Sequence, residues 1–431
     1  MNQLNDQLED FASIPVPKNI RYSGLSIAMV TAVMVFGASS LSLGAQIGLS
    51  LGLRDSMIAF LLGGFFLSIL AYIVGVIGVR SRLSSYVLIK IIFGKNGAIL
   101  LNISLAIALL GWYGVSMDIF SASLNQLMRS ILDINIPNYL IEITGGFLMT
   151  YSAIKGFKLL ESLSTWITPL LIILTASLGY KAFAIWGQGL SQEILSAKPM
   201  TISMAADAVI GAFILGAILM SDYSRFARTT KDVATASFLP YFLLSTLAYT
   251  VAFFAAVVTN ETDIIRIMTA LGFGLAAVFL IFLSSWIVNG INLYSATLSL
   301  STIYMKAKQW QMALLTGTLA TIAALMNILE QLTSFLILLT AIFTPVGGIL
   351  IADYYLLRGK KDYSIDELRY ASSLNYRAIV SCIIAVSFSF LPINKTQLTF
   401  GFPALDSLLI AGFLYYMICL LYTSPSPRDR G

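Results

Sequence analysis

Long apolar stretches recur along the whole chain, separated by short polar segments. A stretch of about 18 or more residues that is apolar and nearly free of charge is typical of a helix that crosses a lipid bilayer. Twelve stretches predict an all-α integral membrane protein with about twelve transmembrane helices. Their approximate bounds are 25–52, 55–79, 98–126, 138–154, 160–180, 201–220, 236–259, 267–300, 311–328, 333–356, 375–392 and 402–423.

Two of the predicted helices contain residues that hold a helix poorly. Residues 36–52 read FGASSLSLGAQIGLSLG, and Gly211 and Gly216 flank the centre of the sixth helix. Irregular backbone is tolerated at membrane depth where it lines a cavity or is buried in protein. Glycine-interrupted helices at matching places in two halves predict inverted repeats, at about 25–180 and 201–356, in which helices 1 and 6 are broken.

Close helix packing is an alternative for part of the first segment. Gly44, Gly48 and Gly52 have the four-residue spacing of a contact between small residues on neighbouring helices. The serines between Gly37 and Gly44 suit a break better than a packing seam. Both explanations stay open for the three spaced glycines.

Composition narrows the classes of function. The chain is 58% hydrophobic and 11% charged, so lipid must cover most of its surface. It has no histidine, and its two cysteines, Cys382 and Cys419, lie in apolar stretches, which argues against histidine-based catalysis, a disulfide framework and a metal site. We therefore expect neither an enzyme nor a cofactor. We also expect a protein in a lipid bilayer with no nucleic-acid partner and no obligate protein partner.

The distribution of basic residues predicts the orientation. Residues 1–24 are polar and lack the pattern of a signal peptide, which indicates a cytoplasmic tail. With that tail inside, the cytoplasmic segments contain 18 lysines and arginines and the outer segments contain six, leaving aside residues 419–431. Positive residues are enriched in cytoplasmic loops. We therefore expect a multi-pass protein of the inner (plasma) membrane with a cytoplasmic N-terminus.

The last residues, CLLYTSPSPRDRG, do not fit the pattern of the other helices. A coding sequence for Cys419 to Asp429 resembles the transposon-end adapter used in short-read sequencing libraries. We therefore expect a transporter domain at 25–418 followed by a non-native tail at 419–431, with a natural polar tail as the alternative.

Four motifs carry a resemblance to a known family. LLGWYGVSMDIF surrounds Trp112 in helix 3, IGAFILGAILMSDYSRFAR lies in helix 6, SSWIVNGINLYSATLSLS in helix 8 and TPVGGILIADYYLLRGKK in helix 10. Together they resemble the nucleobase–cation symporter family, and most of all its cytosine permease branch, from about residue 15 to 418. The resemblance implies a LeuT-like fold of two inverted five-helix repeats plus two helices. It also implies a permease that imports a nucleobase or related planar heterocycle, such as cytosine, with a cation.

In that family an aromatic residue on helix 3 and one on helix 6 sandwich the planar base. The matching residues here are Trp112 and Phe213. A flat ring gains about 1 kcal/mol per aromatic pair beyond the burial of its surface. A lone tryptophan in a membrane helix often faces lipid or the interface instead, but Trp112 lies in mid-helix between two glycines.

The polar residues that select the base in cytosine permeases are mostly replaced. Leu109 stands in place of a glutamine, Ala212 and Leu215 in place of serines, and Ser284 in place of an asparagine. Buried polar groups discriminate strongly between ligands, so their loss indicates a different or less polar ligand. We expect the remaining contacts from the backbone near Ala212 and from the side chains of Ser39, Ser42, Gln46, Ser284 and Asn289.

The coupling ion is sodium or a proton. The resemblance implies a sodium site with backbone carbonyls at Ala32 and Phe36 and two hydroxyls on helix 8, but those hydroxyl positions hold Ile287 and Val288. Sodium needs oxygen ligands, so this site is weakened.

Two acids inside predicted helices are candidates for a proton carrier. Asp118 follows Trp112 by six residues, and Asp207 precedes Phe213 by six. Intramembrane carboxylates are costly and usually paired or functional. The alternative for Asp118 is a structural acid bonded to neighbouring hydroxyls.

Two other classes of function are alternatives to a nucleobase transporter. One is a transporter of the same fold for amino acids or other small amines, which competition by nucleobases would separate. The other is a membrane enzyme or receptor, against which stand the missing histidine and the lack of a soluble domain.

Overall fold

The computed structural model describes residues 14–17, 19–188, 200–304, 307–325, 332–390 and 402–423. Most of the predicted N-terminal tail and residues 424–431 of the expected non-native tail lie outside these ranges. The described residues are nearly all helical.

The first half of the described chain forms six helices. They are α1 (Gly24–Val35), α2 (Ala38–Ser81), α3 (Ser85–Phe93), α4 (Lys95–Leu132), α5 (Asn138–Ile154) and α6 (Phe157–Trp186). The predicted helices 1 and 2 correspond to α1 and α2 together. Within α2, Gly52 has φ +75° and ψ 177°, a conformation that favours glycine, and the chain kinks there.

The second half of the described chain forms eleven α-helices and two π-helical segments. The α-helices are α7 (Ile202–Ile218), α8 (Met220–Ser224), α9 (Thr230–Phe238), α10 (Ser245–Thr259), α11 (Ile264–Ala270), α12 (Gly274–Ile303), α13 (Gln309–Ala324), α14 (Leu332–Ile351), α15 (Glu367–Tyr370), α16 (Tyr376–Ser389) and α17 (Pro403–Thr423). The π-helical segments are Leu239–Leu244, between α9 and α10, and Ala352–Leu357, after α14.

Length and composition identify this as a multi-pass membrane protein. Seven helical stretches of the described chain are long and apolar enough to cross a bilayer, and α1, α7 and α16 are shorter apolar helices. In the packing, α4 lies against α12, and α2 lies against both α7 and α10.

Phe36 and Gly37 separate α1 from α2. Phe36 has φ −91° and ψ 7°, and Gly37 has φ −64° and ψ 152°, so the helix ends after Val35. The Ser40 hydroxyl donates a hydrogen bond of 2.9 Å to the Met34 carbonyl across this break, which satisfies one of the carbonyls that a helix end leaves open. The irregular backbone thus lies at the start of the glycine- and serine-rich segment, and the clustered serines are helical.

Gly44 and Gly48 serve close packing of α2 against α10. A Cβ atom on Gly44 would lie 2.8 Å from Cδ1 of Tyr249, and one on Gly48 would lie 2.6 Å from Cδ2 of Phe253. Gly52 has no such neighbour within 4 Å. The packing alternative therefore accounts for the first two glycines, and the backbone kink accounts for Gly52.

Leu219 separates α7 from α8, with φ −84° and ψ 10°. The irregularity lies after the two glycines that pointed to it, because Gly211 and Gly216 are themselves helical. Both permit close contacts: a Cβ on Gly211 would come within 2.2 Å of the Leu336 carbonyl oxygen, and one on Gly216 within 2.5 Å of the Tyr241 hydroxyl.

Candidate substrate-binding site

A small cavity lies beside the two helix interruptions. Its volume is about 40 Å³, which is room for only a few water molecules. Residues of α1, α2, α4, α7, α8 and α12 contribute, together with Leu219 in the break between α7 and α8. Most of them belong to the predicted helices 1, 3, 6 and 8. The lining residues are Met34, Ser39, Ser40, Leu109, Trp112, Ala212, Phe213, Leu215, Gly216, Leu219, Tyr223, Val288 and Asn292.

Two aromatic side chains border the cavity from different helices. Trp112 of α4 is half-buried, and Phe213 of α7 is buried. The Trp112 ring meets Phe335 of α14 edge-on, and the Phe213 ring meets Tyr241 at a centroid distance of 5.8 Å with a tilt of 45°. Each cavity aromatic is therefore supported from behind by a second ring.

The described structure brings together four of the eight predicted substrate-binding residues. Trp112, Phe213, Ser39 and Ala212 border the cavity, and the apolar Leu109 and Leu215 join them. The side of the cavity formed by α4 and α7 is consequently more apolar than the equivalent side in a cytosine permease is expected to be.

The other four predicted residues do not line the cavity in this conformation. Asn289 is fully buried, and its Nδ2 lies 3.3 Å from Sδ of Met149 on α5. The Ser284 hydroxyl donates to the Ile281 carbonyl within its own helix at 2.8 Å. Ser42 and Gln46 are half-buried on α2. The position of Asn289 has a simple geometric cause: neighbouring residues of a helix point about 100° apart, and Val288 is the one that lines the cavity.

Asn292 borders the cavity and was missed by sequence reasoning. Its side chain is 6% exposed, and Nδ2 has no hydrogen-bond partner among the described residues. Residues four apart share a helix face, so the spacing of Asn292 from Val288, which also lines the cavity, was the available signal. The cavity thus contains a buried amide with an unused donor.

The positions on α12 that the expected sodium site would need for hydroxyls hold apolar residues. The Ala32 carbonyl accepts a hydrogen bond of 3.2 Å from the Phe36 amide. Ile287 is buried, and Val288 lines the substrate cavity. These two side chains can supply no ligand to a hard cation, which prefers oxygen.

Asp118 is half-buried on α4 and lies near a second acid. The Ser121 hydroxyl donates to the Asp118 carbonyl at 3.1 Å and lies 3.4 Å from Oε1 of Glu142, which is 5% exposed on α5. Glu142 was missed, although a lone glutamate within a predicted membrane helix was the available signal.

Asp207 lines a separate cavity of about 180 Å³, with Met204, Ile337, Thr340, Ala341, Ser389 and Pro403. It is 6% exposed, and its Oδ1 accepts a hydrogen bond of 3.3 Å from the Ala404 amide at the start of α17. Asp406, one turn into α17, is buried as well. Neither proton-carrier candidate borders the substrate cavity.

Hydrogen bonds and ring contacts hold the start of α1 against the region where α8 ends and α9 begins. The Tyr22 amide donates to the Phe226 carbonyl at 2.8 Å, and the Gly24 amide donates to Asp232 at 2.8 Å. Phe226 stacks on Phe157 with centroids 4.8 Å apart. These contacts join the segment before α1 to the turn between α8 and α9.

Comparison with known sequences identifies close similarity along most of the chain. A protein-family model described as permease for cytosine/purines, uracil, thiamine, allantoin matches residues 16–414. The cytosine permease of Escherichia coli (strain K12) is 28% identical over 386 residues, which cover 88% of this chain and 89% of that protein.

Solved structures show a similar fold. Mhp1, a nucleobase-cation-symport-1 family transporter, in a closed conformation with bromovinylhydantoin bound, superposes with a TM-score of 0.83 at 18% identity, covering 97% of this chain and 98% of that one. Inward-facing Mhp1 gives a TM-score of 0.79, also at 18% identity, covering 96% and 95%. At this identity the likeness concerns the fold, which is LeuT-like.

Proposed function

Because this chain belongs to the family of permeases for cytosine/purines, uracil, thiamine and allantoin, we propose that it is a secondary active transporter that imports a nucleobase or a related planar heterocycle such as cytosine. Membership of a permease family makes it a membrane transporter. The substrate class, the coupling to a cation and the direction of transport are the proposal.

One observation carries the choice of a planar ligand: Trp112 and Phe213 border one cavity, each on a different helix. An aromatic ring between two others gains from offset stacking and from burial of its faces. Supporting contacts from Phe335 and Tyr241 hold the two rings against their neighbours. A flexible aliphatic ligand would gain much less from such a pair of surfaces.

The polar edge of the ligand would be read by few groups. Asn292 offers an amide, which can donate and accept at once, and its Nδ2 is unpaired within the described chain. Ser39 adds a hydroxyl at the cavity wall. The apolar Leu109, Ala212 and Leu215 favour a ring with fewer polar substituents on the edge that faces them.

The proposal also covers the number and arrangement of the membrane helices. We infer twelve membrane helices, ten in two inverted five-helix repeats followed by two more, with helix 1 broken at Phe36–Gly37 and helix 6 broken at Leu219. Alternating access would then move the helices around the cavity while the ligand stays between them. The proposed location is the plasma membrane, with the N-terminus in the cytoplasm.

Proton coupling is the proposal for the driving ion. The sodium site lacks oxygen ligands at Ile287 and Val288, whereas α4 and α7 each contain an intramembrane acid. Asp118 is the first candidate for the carrier and Asp207 the second. A sodium-dependent protein would instead require ligands that these positions do not provide.

Uptake into proteoliposomes tests the proposed function. Labelled cytosine, uracil and hypoxanthine would each be offered with an inwardly directed proton gradient, with a sodium gradient and with neither. We expect saturable uptake of at least one base, inhibited by unlabelled nucleobases and unaffected by excess amino acids. Uptake that only amino acids or amines inhibit would support the alternative substrate class and contradict the proposal.

A further inference from the structure

Tyr241 lies directly behind the wall of the substrate cavity. Its side chain is fully buried, its ring packs on Phe213, and its hydroxyl fills the space beside Gly216. Phe213 and Gly216 both line the cavity. A Cβ atom on Gly216 would come within 2.5 Å of the hydroxyl but would lie 3.5 Å from Cζ of the same ring. Glycine at position 216 therefore makes room for the hydroxyl in particular.

The Tyr241 hydroxyl has no hydrogen-bond partner among the residues that the structure describes. A buried polar group without a partner destabilises the folded state. Such groups are uncommon and call for a specific explanation. Phenylalanine would fill the same space without that cost, so the hydroxyl contributes nothing to the stability of the empty protein through its own hydrogen bonding.

The backbone around Tyr241 is itself unusual. Tyr241 belongs to the π-helical segment Leu239–Leu244, in which Pro240 is the second residue. Proline cannot donate the helical hydrogen bond and its ring clashes with the carbonyl four residues earlier, which explains a local widening of the helix. Short π-helical segments occur frequently at functional sites.

We propose that the Tyr241 hydroxyl is a substrate-binding group that reads a polar atom on the edge of the ligand beside Gly216. This inference rests on the proposed function. A heterocycle is larger than the cavity of about 40 Å³, so its entry requires movement of the cavity wall, to which both Phe213 and Gly216 belong. Because the Tyr241 hydroxyl lies directly against Gly216, such movement would bring the hydroxyl to the edge of a ligand that stacks on Phe213. Tyr241 would then supply part of the polar recognition that Ala212 and Leu215 cannot.

Tyr249, on α10, is a matched control. It is fully buried, and its hydroxyl also lacks a partner within the described chain. Its ring packs on Phe60, at a centroid distance of 5.1 Å, and beside Gly44, away from the cavity lining. The two tyrosines therefore share burial and an unsatisfied hydroxyl but differ in their proximity to the cavity.

The experiment compares Tyr241→Phe with Tyr249→Phe in the purified full-length protein. Dissociation constants for cytosine, uracil and hypoxanthine would be measured by calorimetry, and melting temperatures without ligand. We expect Tyr241→Phe to raise the dissociation constant of the base that binds most tightly by about 5- to 15-fold, which corresponds to the loss of one hydrogen bond. The dissociation constant of Tyr249→Phe for the same base should stay within about 2-fold of that of the unmodified protein. Neither variant should melt below the unmodified protein.

A second variant keeps the test independent of Tyr241→Phe alone. Gly216→Ala should weaken binding, because its methyl group displaces the hydroxyl. In the Tyr241→Phe background the same methyl makes ordinary contact with the ring, so adding Gly216→Ala should cause no further loss.

Three results would overturn the inference: unchanged affinity in Tyr241→Phe, equal losses in Tyr241→Phe and Tyr249→Phe, or additive losses in the double variant. If the unmodified protein binds none of the three bases, the proposed function fails, and this inference fails with it.

Discussion

The ring of Phe335 meets the ring of Trp112 edge-on, with centroids 5.8 Å apart and planes inclined at 67°. Phe335 belongs to α14, which is not among the helices that line the cavity. Gly111 permits this contact, because a Cβ there would lie 2.8 Å from Cζ of Phe335. The orientation of the main stacking surface thus depends on a helix that does not itself border the cavity.

Replacing Trp112 should remove most of the affinity for a planar ligand. Trp112→Ala deletes a stacking surface and its buried area, so we expect binding to weaken more than about 30-fold. Trp112→Phe should retain part of the affinity because a smaller ring remains. Calorimetry with the tightest nucleobase measures both. Trp166→Ala is the control, since Trp166 is 76% exposed on α6. Unchanged affinity in Trp112→Ala would refute the stacking role.

Phe335→Ala should weaken the same ligand to an intermediate extent. The substitution leaves Trp112 in place but removes the ring that orients it, and an aromatic pair contributes about 0.5–1.5 kcal/mol, which is about 2- to 12-fold in affinity. The measurement is the dissociation constant, compared with that of Phe335→Leu, which keeps bulk without the ring. A loss as large as that of Trp112→Ala would mean that Phe335 contacts the ligand itself.

Oxygen ligands on α12 should introduce sodium dependence. Ile287→Thr combined with Val288→Thr supplies the two hydroxyls that the expected sodium site lacks, and we expect transport or ligand binding to become stimulated by sodium. Val278→Thr, elsewhere on the same helix, is the control for adding a buried hydroxyl. An absolute sodium requirement in the unmodified protein would show that the ion binds at a different site.

Neutralising the proton carrier should separate exchange from accumulation. Asp118→Asn should still exchange labelled for unlabelled substrate across the membrane but lose uphill uptake driven by a proton gradient. Asp207→Asn and Glu142→Gln test two further acids that are buried, and Asp366→Asn, in an exposed position, is the control. If accumulation driven by the proton gradient persists in Asp118→Asn and is lost in Asp207→Asn, the second candidate is the carrier.

Sequence patterns predicted the helices better than their interruptions. Apolar stretches located α4 and α6 because hydrocarbon requires long, nearly uncharged segments. The break after Val35 and the kink at Gly52 lie at the two ends of the glycine-rich segment. The glycines between them instead accommodate aromatic side chains of α10. Glycine enrichment alone does not distinguish a break from close packing, because both need a missing side chain.

The sequence predicted those site residues that a single motif position identifies. Trp112 and Phe213 follow from motif positions and border the cavity as expected. Asn289 and Asn292 lie on different faces of the same helix. When a helix is apolar on all sides, its sequence does not show which face is turned towards the cavity. Phe335 and Tyr241 escaped prediction because their contacts join distant parts of the chain, and such contacts depend on how the helices pack.

The most direct measurement of the central claim is the melting temperature of the purified protein with a panel of nucleobases and a panel of amino acids, each also tested on Trp112→Ala. A ligand at 100 times its dissociation constant stabilises the folded state by about 2.7 kcal/mol. We predict that at least one nucleobase raises the melting temperature of the unmodified protein, that it fails to do so for Trp112→Ala, and that no amino acid has this effect. Stabilisation by an amino acid alone, or by a nucleobase equally in both proteins, would contradict a planar ligand held between Trp112 and Phe213.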